Sequence, residues 1–138
     1  MDEKSCGAVV FHGDGRDRKY LLLHYESGHW DYVKGHVEKD ESESATTIRE
    51  AKEETGLNIE ILPGFRHGIR YFFRVKGKLI HKEVIFFVAE SKENTVKLSH
   101  EHVDYKWLPF DEALNKLTFK NAKETLKKAD SFLKGRLV

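Results

Sequence analysis

The stretch 35–57 reads Gly-His-Val-Glu-Lys-Asp-Glu-Ser-Glu-Ser-Ala-Thr-Thr-Ile-Arg-Glu-Ala-Lys-Glu-Glu-Thr-Gly-Leu, and it constrains the fold more than any other part of this chain. A glycine-marked turn runs into a helix, with Asp40 and Glu43 as the expected capping pair and Gly56 as the stop. On that helix Ala45, Ile48, Ala51 and Thr55 form a small apolar stripe that predicts packing on a core. Glu50, Glu53 and Glu54, at spacings of three and four, share the other face, so the acid is expected to point outward. Three carboxylates so placed repel one another unless something positive lies between them.

The rest of the chain predicts strands around this helix. Residues 5–11 and 19–25 are apolar runs separated by His-Gly-Asp-Gly-Arg-Asp, which predicts a hairpin. A loop over 26–34, with Gly28 and Trp30, then leads to the glycine turn. Residues 69–75 alternate with Arg70 and Arg74, turn through Lys76-Gly77-Lys78 and return over 79–90 as a long antiparallel hairpin. A short strand over 103–108 and a helical turn over 111–117 follow. Ala122, Leu126, Ala129 and Leu133 recur at helical spacing up to Gly135, giving a terminal amphipathic helix. Strands with helices inserted predict a layered α+β or α/β domain.

With 138 residues, one domain spanning 1–138 is expected. A hydrophobic share of 39% against 34% charged describes a globular chain, and no apolar run approaches the ~20 residues of a membrane span. No secretory leader is evident, and the lone Cys6 can form no internal disulfide, so a cytoplasmic setting is expected. Cys6 reads as a buried strand thiol, not a nucleophile. The net charge of +1 argues against a general attraction to polyanions, but the charge is segregated. Residues 64–82 contain no Asp or Glu and carry Arg66, Arg70, Arg74, Lys76, Lys78 and Lys82, whereas 38–60 is dominated by acid. One stretch is suited to holding cations and the other to holding phosphate.

Clustered carboxylates suit hard divalent cations such as Mg²⁺ or Mn²⁺, which polarise phosphoryl groups and activate bound water. The spacing is also specific. Gly35, Glu41, Arg49, Glu50, Glu53, Glu54, Gly56 and Leu57 meet each defined position of a known pattern, with Ala51 small for its aliphatic slot. In this the stretch resembles the Nudix box. That resemblance implies an α/β fold, an α/β/α sandwich around a mixed central sheet. It also implies that Glu50, Glu53 and Glu54 bind the metal with the Gly35 carbonyl, and that Glu54 activates water. The planar fork of Arg49 suits holding a carboxylate in place, and Glu41 is either a ligand through water or the anchor for Arg49.

Three further stretches widen the resemblance to the asymmetric diadenosine tetraphosphate hydrolases. They are Ser27-Gly-His-Trp-Asp-Tyr-Val-Lys-Gly-His-Val-Glu38, Leu98-Ser-His-Glu-His102 followed by Tyr105-Lys-Trp-Leu108, and Phe119-Lys120. The chain departs from the family at Tyr32-Val33, where a prolyl pair is typical. The resemblance implies Glu101 as an extra ligand or assistant base, Lys34 and Lys82 as phosphate contacts, and Tyr71 and Phe119 as a sandwich for adenine. Against this, Tyr71 and Phe119 read also as half-buried core aromatics, the commoner fate of such residues. Tyr25 is a candidate for phosphate or ribose. His29, His36, His100 and His102 are phosphate contacts or surface residues in preference to metal ligands, because the site is rich in oxygen. The expected reaction is Mg²⁺-dependent splitting of a dinucleoside polyphosphate into ATP and AMP by a monomer, with no DNA or membrane partner. The rivals are hydrolysis at an RNA 5′ end and a nucleotide sensor without chemistry.

Overall fold

The computed structural model describes residues 2–136. Met1, Leu137 and Val138, the ends of the expected 1–138 domain, lie outside the described residues. Strand β1 (Asp2–His12) runs through the middle of a mixed sheet, antiparallel to β2 (Lys19–Tyr25) and parallel to the long β7 (Lys78–Ser91). β7 pairs in turn with β5 (Ile59–Ile61) and β6 (His67–Val75), while β8 (His102–Leu108) and the two-residue β3 (Trp30–Asp31) extend the sheet beyond β2. β4 (Val33–His36) lies antiparallel along the first half of β1, with Cys6 opposite Gly35.

Both faces of β1 are covered, which is why its residues read as a nearly continuous apolar run. Val9 and Phe11, with Tyr20, Leu22, Val84 and Phe86, pack against Ala122, Leu126, Ala129 and Leu133 of α3 (Lys120–Lys134) and Ala113 of α2 (Phe110–Lys116). Ala8 and Val10, with Leu21, Leu23 and Val33, face Ala51 of α1 (Glu43–Thr55). Helices on both faces of a mixed sheet make the expected α/β/α sandwich.

Three sequence expectations need correction. Ser42, not Asp40, caps α1: its hydroxyl accepts from the Ala45 N–H at 3.1 Å, while Asp40 sits at φ 64°. Glu43 is turned away to ion pairs with Lys4 and Arg66. Of the expected stripe Ala45, Ile48, Ala51 and Thr55, the last two are buried and the first two exposed, and the buried face is completed by Thr46, Thr47 and Glu54. The threonines can be buried because their hydroxyls are bonded locally: Thr46 donates to Glu41 at 2.7 Å, and Thr47 and Thr55 to backbone carbonyls four residues back. Finally, the expected loop over 26–34 contains β3 and the start of β4, and β5 adds a strand; all three are too short to carry a periodic signal. Gly56 does end α1, in the left-handed conformation at φ 76° that favours glycine.

Candidate active site

Arg49 organises the exposed side of α1. Its Nε and Nη2 donate to the two oxygens of Glu41 at 2.7 and 3.0 Å, and Nη2 also reaches the His36 carbonyl at 3.0 Å. Its Nη1 donates to Glu50 at 2.8 Å and to Glu53 at 3.1 Å. The guanidinium is the positive charge that lets these carboxylates share one face, and it holds the Glu41 carboxyl down at about 2. Glu41 thus sits as the anchor of Arg49. Gly35 packs directly on this group: a Cβ there would overlap the Glu50 carboxylate, so only glycine lets β4 approach so closely.

Glu54 is not turned outward as the sequence suggests; it is 4% exposed, on the sheet side of α1. Its Oε1 lies 3.1 Å from His102 Nε2, and its Oε2 is buried with no hydrogen-bond partner. Burial pushes its pKa up to about 7; His102 opposes this shift and the neighbouring Glu50 charge adds to it. The segment before β8 is tied to the end of α1 by backbone bonds from Lys97 N to Thr55 O at 2.9 Å and from Ser99 N to Glu54 O at 3.0 Å. That tether brings Glu101 and His100 to the same hollow as Lys34, Gly35, Glu50, Glu53 and Glu54, a space of about 670 Å³.

Among the described residues no three His, Cys, Asp or Glu side chains converge tightly enough to enclose a metal ion as they stand. The reason is visible in the contacts: Arg49 draws Glu50 and Glu53, and His102 takes one oxygen of Glu54. The donor set nonetheless fits a hard divalent cation. It offers carboxylate oxygens from α1 and Glu101, a buried unpartnered Oε2, and a glycine that leaves the β4 backbone open to the cluster.

On the α3 side of β4 a second cavity, of about 380 Å³, is lined by Asp31, Lys34, Ile69, Tyr71, Phe119 and Asn121 among others. Tyr71 and Phe119 are 38% and 50% exposed, so they are wall residues of this cavity and not core aromatics. His29 stacks on Tyr25 at 4.6 Å and leans on Phe119 at 5.2 Å, and burial lowers its pKa. Lys34 lines both cavities, with Nζ 2.9 Å from Asp31 Oδ2. Lys82 is buried, donates to Ser5 Oγ at 2.7 Å, and borders a third hollow that shares Tyr71. It lines neither of the other two cavities. The basic stretch 64–82, suited by its charge to holding phosphate, does not supply Arg66 or Arg70 to the carboxylate hollow: Arg66 is paired with Glu43, Arg70 with Glu83, and neither lines it. Sequence reasoning also missed Asp31 and Asn121, which carry no spacing signal and meet only through the fold.

Comparison with known proteins supplies the family. The NUDIX domain family matches residues 1–129. The chain belongs to the Nudix family. Among Nudix relatives it is similar to the asymmetrical bis(5′-nucleosyl)-tetraphosphatase of Mus musculus, 36% identical over 146 residues, covering 96% of this chain and 97% of that protein. The protein of the same description from Caenorhabditis elegans is 32% identical over 139 residues, covering 98% of this chain and 99% of its own length. The crystal structure of a C. elegans Ap4A hydrolase binary complex superposes with a TM-score of 0.85 at 30% identity, covering 97% of this chain and 99% of that one. Nudix membership accounts for the carboxylate helix, the glycine turn before it and the sheet that carries both.

Proposed function

We propose that this chain acts as one domain, a cytoplasmic, monomeric, divalent-metal-dependent hydrolase that cleaves diadenosine tetraphosphate asymmetrically into ATP and AMP. The observation that carries this is Lys34, which lines both the carboxylate hollow and the aromatic cavity. A ligand with a base at one end and a phosphate chain at the other fits across that boundary. Near full-length similarity to tetraphosphatases of that description supports the substrate class.

Glu50, Glu53, Glu54 and Glu101, with the Gly35 carbonyl, would hold Mg²⁺ or Mn²⁺. When bound, the metal supplies charge neutralisation on the phosphate oxygens and a more acidic water. Glu54 Oε2 takes the proton from the attacking water. In the metal-free chain burial raises the affinity of this carboxyl for protons, which makes it a stronger base than an exposed carboxylate. Arg49 orients Glu50 and Glu53 without touching the substrate. Lys34 exchanges its Asp31 contact for a phosphate oxygen, and Lys82 serves phosphate at the far side of Tyr71. Tyr71 and Phe119 stack on a base, with His29 behind Phe119.

A second reading, hydrolysis at an RNA 5′ end, draws on the hairpin tip, where Arg74, Lys76 and Lys78 flank an exposed Phe72. A substrate panel separates the two. Diadenosine tetraphosphate, triphosphate-ended RNA, 8-oxo-dGTP and ADP-ribose are each incubated with and without Mg²⁺ or Mn²⁺, and the products are resolved. Metal-dependent turnover with strong preference for diadenosine tetraphosphate is expected. Preferred turnover of RNA ends, with a steep salt dependence, supports the second reading, and tight binding without turnover of any of them contradicts both.

A further inference from the structure

His102 lies at the first position of β8, with its side chain fully enclosed. Its imidazole is bounded by three different parts of the fold. Nε2 is 3.1 Å from Glu54 Oε1 on α1, Nδ1 is 3.3 Å from Ser99 Oγ in the preceding loop, and the ring meets Tyr25 of β2 edge-on at 4.6 Å. Tyr25 is itself pinned by its hydroxyl, which donates to the Tyr32 carbonyl at 2.5 Å. A hydroxyl proton donated by Ser99 to Nδ1 leaves the ring proton on Nε2, facing Glu54.

The contact is close but not a well-aligned hydrogen bond, and Nε2 of His102 and Oε2 of Glu54 are both buried without a hydrogen-bond partner. Buried polar atoms are rarely left so, and two at one contact mark a place kept for a reason other than stability. The two oxygens of Glu54 are thereby made unequal. Oε1 faces the imidazole, and Oε2 is buried without a hydrogen-bond partner.

We infer that His102 is a positioning residue: it restrains Glu54 through Oε1 so that Oε2 remains available to the carboxylate hollow, and it holds the adjoining Glu101 beside the same helix end. The inference rests on the hydrolase function proposed above. Groups that orient a metal ligand from behind are worth about 10- to 100-fold in metal affinity or activity when replaced.

Two amide variants separate positioning from packing, because the amide of Gln overlays Nε2 and that of Asn overlays Nδ1. His102→Asn keeps a partner for Ser99 and loses Glu54, whereas His102→Gln keeps a donor toward Glu54. For each, kcat and KM on diadenosine tetraphosphate are measured, together with Mn²⁺ affinity by electron paramagnetic resonance and the thermal midpoint. His102→Asn is expected to lose ~10- to 100-fold in kcat and ~10-fold in Mn²⁺ affinity, with KM little changed, and His102→Gln to recover most of both. Wild-type kcat and Mn²⁺ affinity in His102→Asn, or equal impairment in the two variants, overturns the assignment. If the wild-type protein itself fails to turn over diadenosine tetraphosphate, the hydrolase function falls, and the Mn²⁺ affinities of the three proteins still decide the role of His102.

Discussion

Glu54 makes the metal-free protein sensitive to pH in a direction opposite to that of most carboxylates. Its pKa is raised from 4.5 to about 7, chiefly by burial, so the folded chain keeps a proton that the unfolded chain releases. The stabilisation this gives is fully present below the unfolded value of 4.5 and is lost as pH rises through the folded value of about 7. At 1.36 kcal/mol for each pH unit between the two values, the loss by pH 8 is about 3 kcal/mol. For a domain of this size that corresponds to roughly 10 °C in thermal midpoint. The assay is thermal unfolding in EDTA from pH 5 to pH 8, wild type against Glu54→Gln, so that titration of groups remote from Glu54 cancels and the difference reports Glu54 together with its neighbours His102 and Glu50. The wild type is expected to lose stability relative to the variant across that window, and added Mg²⁺ at pH 8 is expected to restore it in the wild type alone. Parallel pH profiles for the two proteins would refute the assignment of Glu54 as a carboxyl kept protonated by burial.

Gly35→Ala should leave the fold nearly intact, because the overlapped atoms are the movable end of Glu50, yet lower the hydrolytic rate ~100-fold by displacing that carboxylate; the comparison is thermal midpoint against kcat. Wild-type activity in this variant would dissociate Glu50 from the reaction. Phe119→Ala should raise KM for diadenosine tetraphosphate by a factor equivalent to about 1–3 kcal/mol of lost base stacking, with little change in kcat. An unchanged KM would remove Phe119 from base binding. Cys6 is 0% exposed and burial pushes its thiol up to about 11, so iodoacetamide at pH 8 should label it only in denaturant, as read by mass spectrometry. Rapid labelling of the native protein would contradict the buried placement of β1.

The carboxylate helix was legible in the sequence because its donors lie within two turns of one element, where spacing alone fixes which side chains are neighbours. Ala122, Leu126, Ala129 and Leu133 likewise announced α3, since all four are apolar and all four are buried. The orientation of α1 was not legible. Threonine counts as polar in a periodicity argument, yet Thr46, Thr47 and Thr55 are buried by bonding their hydroxyls locally, and this rotates Glu54 inward. Contacts between distant segments were equally silent. His102 meets Glu54 only because β8 pairs with β2 beside α1, and Lys34 joins two cavities only because β4 runs between them. The charge segregation of residues 64–82 was real but misleading: Arg66 and Arg70 find acidic partners on other elements, so composition along the chain did not translate into opposed surfaces.

The most direct test of the proposed activity is hydrolysis of diadenosine tetraphosphate in ¹⁸O-labelled water with Mg²⁺, with the products separated and weighed by mass spectrometry. ATP and AMP in equal amounts, with the heavy oxygen on a phosphate of one of them, is the expected result. Two molecules of ADP, or no Mg²⁺-dependent cleavage, would contradict it.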